Sequence, residues 1–388
     1  MLHYAASFIF RGDTMKKFIL IPDSFKGTLS SQDVCDTMAS AIKKHLPNAE
    51  IINIPIADGG EGTVDTMLKI LGGKKKYLTI KGPYFEDLSS FYGILPNKTA
   101  IIEMAAAAGL PLAGNKLHAE LTSTYGVGQL ITDAINNGCK KILIGLGGSA
   151  TNDGGCGMAA ALGIKFLDKQ NNEFIPVGKN LCNIYKIDNT DFLAKYSSIE
   201  FSAMCDINNP LCGKNGASYV FAPQKGANNK IIQLLDEGLF HLSTIIQKDL
   251  QKQVKDIPGA GAAGGMGAGV IGFLNGTLQS GINFILNLIN FPQIISDTDY
   301  IFTGEGKIDT QSIQGKVISG IAQYTKKYNI PLIAVVGCIG DNIDELYSKG
   351  ITAIFSINTK PLPFSEAAIY SKQNLFLTMD NIMRIIKQ

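Results

Sequence analysis

Short apolar runs alternating with amphipathic stretches mark both ends of the chain. "KKFILIP" (16–22) and "AEIINIPI" (49–56) read as strands. Between them "SSQDVCDTMASAIKKHL" carries Val34, Met38, Ala41, Ile42 and His45 at helical spacing. Ser30 followed three residues later by Asp33 is a capping-box signature for the start of that helix. The C-terminal end repeats the pattern. "DYIFTG", "IPLIAVVG" and "ITAIFSI" are expected strands, and "GKVISGIAQYTKKYN" and "DNIDELYSKG" expected helices. "FSEAAIYSKQNLFLTMDNIMRIIKQ" is expected to close the chain as one long helix. Strand–helix–strand repeats of this kind build an open, doubly wound parallel sheet of flavodoxin or Rossmann type.

The middle of the chain differs. "KYLTIKGPYFEDLSSFYGILPNKTAIIEMA" predicts three strands with turns at Gly82-Pro83 and Pro96-Asn97, hence antiparallel pairing. A helix over 123–137, a strand over 141–146, a strand in "IEFSAMCDI" and a long helix over 229–254 follow, with a polar excursion between Leu167 and Asp191. The expected organisation is an α/β protein of two domains. Residues 15–75 and 285–388 form a discontinuous flavodoxin-like domain, and 76–284 form an inserted α/β domain, with a ligand cleft between them. Residues 1–14 read as an extension, with Met15 as the functional start: they lack a basic leader and a long apolar stretch.

Composition narrows the function. At 388 residues, 45% hydrophobic and 18% charged, the chain can bury two cores. A net charge of +2 is too balanced for a nucleic-acid binder. Ile257 to Ser296 carries no charge, but glycines, asparagines and Pro292 interrupt it. It reads as two buried helices joined by "NGTLQSG" rather than a membrane span. Seven dispersed cysteines without a C-x-x-C pair fit reduced thiols in the cytoplasm, and four isolated histidines give no support to a histidine metal site.

Three glycine-rich stretches fail known fingerprints. "GAGAAG" (259–264) lacks the preceding strand and the following acid of a dinucleotide site. "GGSAT" has Thr151 where a nucleophile elbow needs glycine. "QGKV" would need Gly at Thr310 and Ser or Thr at Val317 to be a Walker loop. What remains is five acid-bearing, glycine-rich turns, each after an expected strand: "PDSFKGTLS" with Asp23, Ser24 and Lys26; "ADGGEGT" with Asp58 and Glu61; "GGSATNDGG" with Ser149, Asn152 and Asp153; "CDINNPLCGKNGA" with Asp206; and "GEGKIDTQSIQGK" with Glu305, Lys307, Asp309 and Lys316. One such loop is most simply a turn. Five at strand ends suggest phosphoryl transfer: backbone N–H groups and lysines hold phosphate, and carboxylates hold Mg²⁺ or take a hydroxyl proton.

Those five stretches, together with "FAPQKGA" and "PGAGAAGGMG", occur in the order found in bacterial glycerate kinases of the type-1 family, which residues 15–388 resemble. The resemblance implies two α/β domains, ATP and Mg²⁺ as cofactors, and transfer of the γ-phosphoryl group to D-glycerate, with 2-phosphoglycerate the usual product. It places Lys26 and Ser24, with Asp23, Ser149 and Asn152, on the substrate or the transferred phosphate. It makes Asp58 or Asp153 the base and Asp206 or Glu305 the Mg²⁺ ligands. Gly304, Gly306 and Lys316 would cradle ATP. The expected partner is a small molecule, with neither nucleic acid nor membrane, and the protein a monomer or homodimer. The competing readings are a silent sensor of the same ligands and a kinase for another small hydroxy acid.

Overall fold

The computed structural model describes residues 15–388 apart from Lys26, residues 57–58, Lys116 and residues 310–316. The chain divides into two compact units. One runs to Ile56 and resumes at Asn290, and the other spans Ala57–Ile289.

The first unit opens with β1 (Lys17–Leu20), helix α1 (Ser31–His45) and β2 (Glu50–Asn53). The Ser30 side chain accepts from Asp33 N and the Asp33 side chain from Ser30 N, as the capping box predicts.

In the second unit, helix α2 (Thr63–Leu71) precedes the meander β3 (Lys74–Lys81), β4 (Asp87–Ile94) and β5 (Thr99–Glu103). The meander is antiparallel, as its turns foretell. Helix α3 (Tyr125–Asn136), β6 (Lys141–Gly145) and helix α4 (Cys156–Ala161) follow. The polar excursion forms a separate small sheet of β7 (Lys165–Leu167), β8 (Glu173–Phe174) and β9 (Lys186–Asp188). Next come β10 (Glu200–Met204), helix α5 (Ala217–Phe221), helix α6 (Asn229–Leu250), helix α7 (Ala262–Leu274), β11 (Thr277–Gln279) and helix α8 (Gly281–Leu288). The main sheet has the order β11-β10-β6-β5-β4-β3, and its β11, β10, β6 and β5 are parallel.

The chain then returns to the first unit with β12 (Tyr300–Thr303), β13 (Lys307–Ile308), helix α9 (Val317–Tyr328), β14 (Leu332–Val336), β15 (Cys338–Ile339), helix α10 (Asp344–Lys349), β16 (Ala353–Ser356) and helix α11 (Ser371–Ile386). Its sheet has the order β16-β14-β12-β1-β2, all parallel, which is the flavodoxin-like order. Alternate residues explain the unbroken apolar runs. Phe18, Leu20, Phe302, Ile333 and Val335 pack with α1 and α11, whereas Ile19, Ile301, Leu332 and Ala334 are buried outside that cluster. A sheet covered on both faces needs apolar residues at every position.

Three expectations need correction. The division falls after Ile56 and Ile289, not after 75 and 284, because α2 packs on β3, β4 and β5. "NGTLQSG" is not only a turn: Thr277–Gln279 pair with Ser202–Met204 as an edge strand. The C-terminal segment is not one helix; a short helix Phe364–Ala367 and a 3-10 turn Ala368–Tyr370 precede α11. β3 begins at the lysines 74–76, of which Lys75 meets Asp65 at 2.6 Å and Lys76 meets Asp133 at 2.9 Å. Among the described residues no helix is long and apolar enough to cross a membrane. Among the described residues no cysteine forms a disulfide. The expectations for residues 1–14 lie outside the described residues.

The α1–α11 contact is stapled by the nearly buried Asp380, which meets His45 Nε2 at 2.8 Å, Lys44 Nζ at 2.7 Å and Arg384 Nε at 3.1 Å. These partners, Lys44 foremost, hold its carboxyl well below the usual carboxylate range. A depressed folded-state pKa contributes stability above the unfolded value, near 4, that is lost as pH falls toward the folded value. Asp380→Asn is therefore expected to lower Tm at pH 7, with the gap to wild type closing below about pH 4. A gap that stayed constant from pH 7 to pH 2 would contradict the staple.

Candidate active site

The strand order of the first unit reverses between β1 and β12, and open α/β sheets take ligands at the carboxyl ends of strands beside such a reversal. Two of the five acid-bearing turns meet there. Asp23 N donates to Gly304 O at 2.8 Å, and Asp23 Oδ1 accepts from Ser24 N at 2.6 Å. Asp23 and Ser24 are half-buried, and Glu305 is buried. The backbone after β12 lies against β14. Gly337 N donates to Glu305 O at 3.0 Å, and a Cβ on Gly304 would stand 2.3 Å from Val335 O. Glycine at 304 is thus dictated by a close backbone approach. Gly304→Ala is expected to cost about 1–3 kcal/mol, read by urea unfolding; an unchanged midpoint would contradict that approach. β13 and β15 knit the continuation of the turn together, and Asp309 meets Lys307 at 3.3 Å.

The other three turns meet in the second unit, at the carboxyl ends of β5, β6 and β10. Gly147 N donates to Gly59 O at 3.0 Å, and a Cβ on Gly147 would stand 2.6 Å from Gly60 Cα. A Cβ on Gly59 would stand 3.2 Å from Met204 Cβ, the last residue of β10. Asp206, just beyond, accepts from Gly281 N at 3.1 Å, at the start of α8.

Asp153 is turned to the protein's own donors. It is fully buried, and its carboxylate accepts from Thr124 N and Thr124 Oγ1 at 2.8 Å, Gly155 N at 3.1 Å and Gly157 N at 3.2 Å. Burial pushes its pKa up and these donors restrain it. A carboxylate so occupied braces the first turns of α3 and α4. Ser149 belongs to a second buried cluster. Its Oγ accepts from Lys225 Nζ at 2.8 Å, and Lys225 also donates to Thr151 O at 2.7 Å. Asn152 Nδ2 donates to Ser218 Oγ at 3.2 Å. Ser149, Asn152, Ser218 and Lys225 are all buried.

Sequence reasoning missed two residues. Lys225 belongs to the quoted "FAPQKGA" but received no role, because nothing local ties it to a loop 76 positions away. Glu103, buried at the end of β5, accepts from Val64 N at 2.6 Å and fixes the start of α2 below "GGEGT". Burial raises its pKa. The signal was present, an acid ending an apolar strand, but no glycine follows it. Lys26, Asp58 and Lys316 lie outside the described residues.

Asp23, Ser24, Gly304, Glu305 and Gly306 thus belong to one unit, and Ser149, Asn152, Asp153 and Asp206 to the other. No group of three His, Cys, Asp or Glu that could hold a metal occurs among the described residues. Mg²⁺ does not require one, since it keeps several waters and binds through one or two carboxylates plus phosphate oxygens. Single carboxylates at strand ends, as at Asp206 and Glu305, fit that mode.

A family model described as the glycerate kinase family matches residues 18–387. A Bacillus cereus protein named glycerate kinase is 42% identical over 96% of this chain and 98% of its own length. An Escherichia coli K12 protein named glycerate 2-kinase is 41% identical over 94% of this chain and 97% of its own. A crystal structure from Salmonella typhimurium LT2, assigned as glycerate kinase 2, superposes with a TM-score of 0.83 at 36% identity, covering 96% of this chain and 99% of that one.

Proposed function

Because the chain belongs to the glycerate kinase family, we propose that it transfers the γ-phosphoryl group of ATP to the 2-hydroxyl of D-glycerate. The observation that carries this reading is the end-to-end match to relatives named for that activity, which leaves no acid-bearing turn outside the aligned length. The name of the Escherichia coli relative supports the 2-position. Seven dispersed cysteines without a C-x-x-C pair support a cytoplasmic setting.

Phosphoryl transfer is mostly positioning and charge stabilisation. Backbone N–H groups of the Gly304–Gly306 turn, with Lys316, receive the nucleotide phosphates. Mg²⁺, held by Asp206 or Glu305, would offset charge on those oxygens. Lys26, Asp23 and Ser24 at the end of β1, and Ser149 and Asn152 at the end of β6, bind the acid or the group in transit. With Asp153 committed to helix starts, Asp58 is the base assigned to the acceptor hydroxyl.

The test is ATP consumption with D-glycerate against a panel of small hydroxy acids. D-Glycerate is expected to give the highest kcat/KM. Faster turnover of another acid would move the substrate, and no turnover of any would favour a binding-only protein.

A further inference from the structure

The polar cluster after β6 contains a group that the reading above leaves without a role. Lys225 is 2% exposed, and among the described residues it donates to Ser149 Oγ and Thr151 O. Lysine nitrogen in its charged form can only donate, so the Ser149 oxygen is the acceptor in their 2.8 Å contact. The Ser149 proton must then point away from Lys225. At 8% exposure Ser149 is the most open member of the cluster, while Thr151 and Asn152 are fully buried. Thr151 Oγ1 and Asn152 Oδ1, on the same turn, have no donor among the described residues. Buried oxygens are normally paired. A directed hydroxyl donor beside unmet acceptors suits a ligand carrying both an oxyanion and a hydroxyl.

We propose that Lys225 is a positioning residue that holds Ser149 so that its hydroxyl donates to an oxyanion of a reactant, either the acceptor's carboxylate or a phosphoryl oxygen. This rests on the kinase reading above and adds to it an oxyanion contact made through Ser149. Burial lowers the Lys225 pKa to about 7, and the Asp153 carboxylate opposes that fall. An arriving anion favours the charged ammonium, so binding is expected to weaken as pH rises through about 7.

The experiment compares wild type with Ser149→Ala, Lys225→Met and Lys225→Arg, measuring KM for D-glycerate and for ATP from pH 6 to 9. Losing a hydrogen bond to a charged oxygen should raise one KM about tenfold to a hundredfold in Ser149→Ala. A rise confined to D-glycerate assigns the carboxylate, and one confined to ATP the phosphoryl group. Lys225→Met should show the same rise and lose the pH dependence near 7, and Lys225→Arg should restore part of the affinity. Should Lys225→Met not fold, Ser149→Ala carries the test. Both KM values unchanged in a folded Ser149→Ala, or a pH profile that survives in a folded Lys225→Met, would overturn the inference while leaving the kinase reading intact. A wild-type protein that phosphorylates no hydroxy acid would remove the kinase reading itself.

Discussion

Replacing Asp58 by Asn is expected to lower kcat by about 10²–10⁴-fold, the usual contribution of a positioned general base. The argument runs by chemistry and by elimination. The acceptor hydroxyl must lose a proton as the phosphoryl group arrives, and the two carboxylates considered for that task were Asp58 and Asp153. Asp153 has four protein donors on its oxygens and no exposed surface. Asp58 sits in "ADGGEGT", whose following glycines touch the turn after β6 that carries Ser149 and Asn152. Asn keeps the volume and removes the base, so KM should move far less than kcat. Steady-state kinetics across pH check this. Near-normal kcat in Asp58→Asn would require another base.

Asp153→Ala should instead act on folding. It leaves the amides of Thr124, Gly155 and Gly157 and the Thr124 hydroxyl without their acceptor inside the core. Each buried unpaired donor costs about 1–3 kcal/mol, so a loss of at least about 4 kcal/mol is expected. Against a typical stability of about 5–15 kcal/mol, that is a large fraction. Asp153→Asn, which keeps one acceptor oxygen and the volume, should lose less. Denaturant midpoints of the two variants give the comparison. If Asp153→Ala unfolded at the wild-type midpoint yet lost kcat, the catalytic assignment would return to Asp153.

The contrast between these two aspartates shows what the sequence could carry. Both follow an apolar strand and precede glycines, and local pattern treats them alike. Only the donors on Asp153, among them Thr124 from 29 positions away, separate brace from base. Where the determinant is local, the reading held. The Ser30–Asp33 capping box and the unbroken strands β1, β12 and β14 follow from their own residues. The antiparallel meander follows from two turns. β11 was missed because a three-residue edge strand owes its extended form to its partner β10. The membership of α2 was misjudged because helix periodicity says that a face is apolar, not which sheet covers it. Lys225 and Glu103 stayed silent for the same reason: a buried charge announces itself only through its partners.

The most direct test of the central claim is phosphorus NMR of the products formed from ATP and D-glycerate. Esterification at the secondary hydroxyl couples phosphorus to a single carbon-bound proton, whereas the primary position offers two. The account predicts ADP together with a new phosphomonoester resonance split into a doublet. A triplet would place the phosphoryl group on the primary hydroxyl. ATP left intact beside D-glycerate, with the protein folded, would contradict the claim outright.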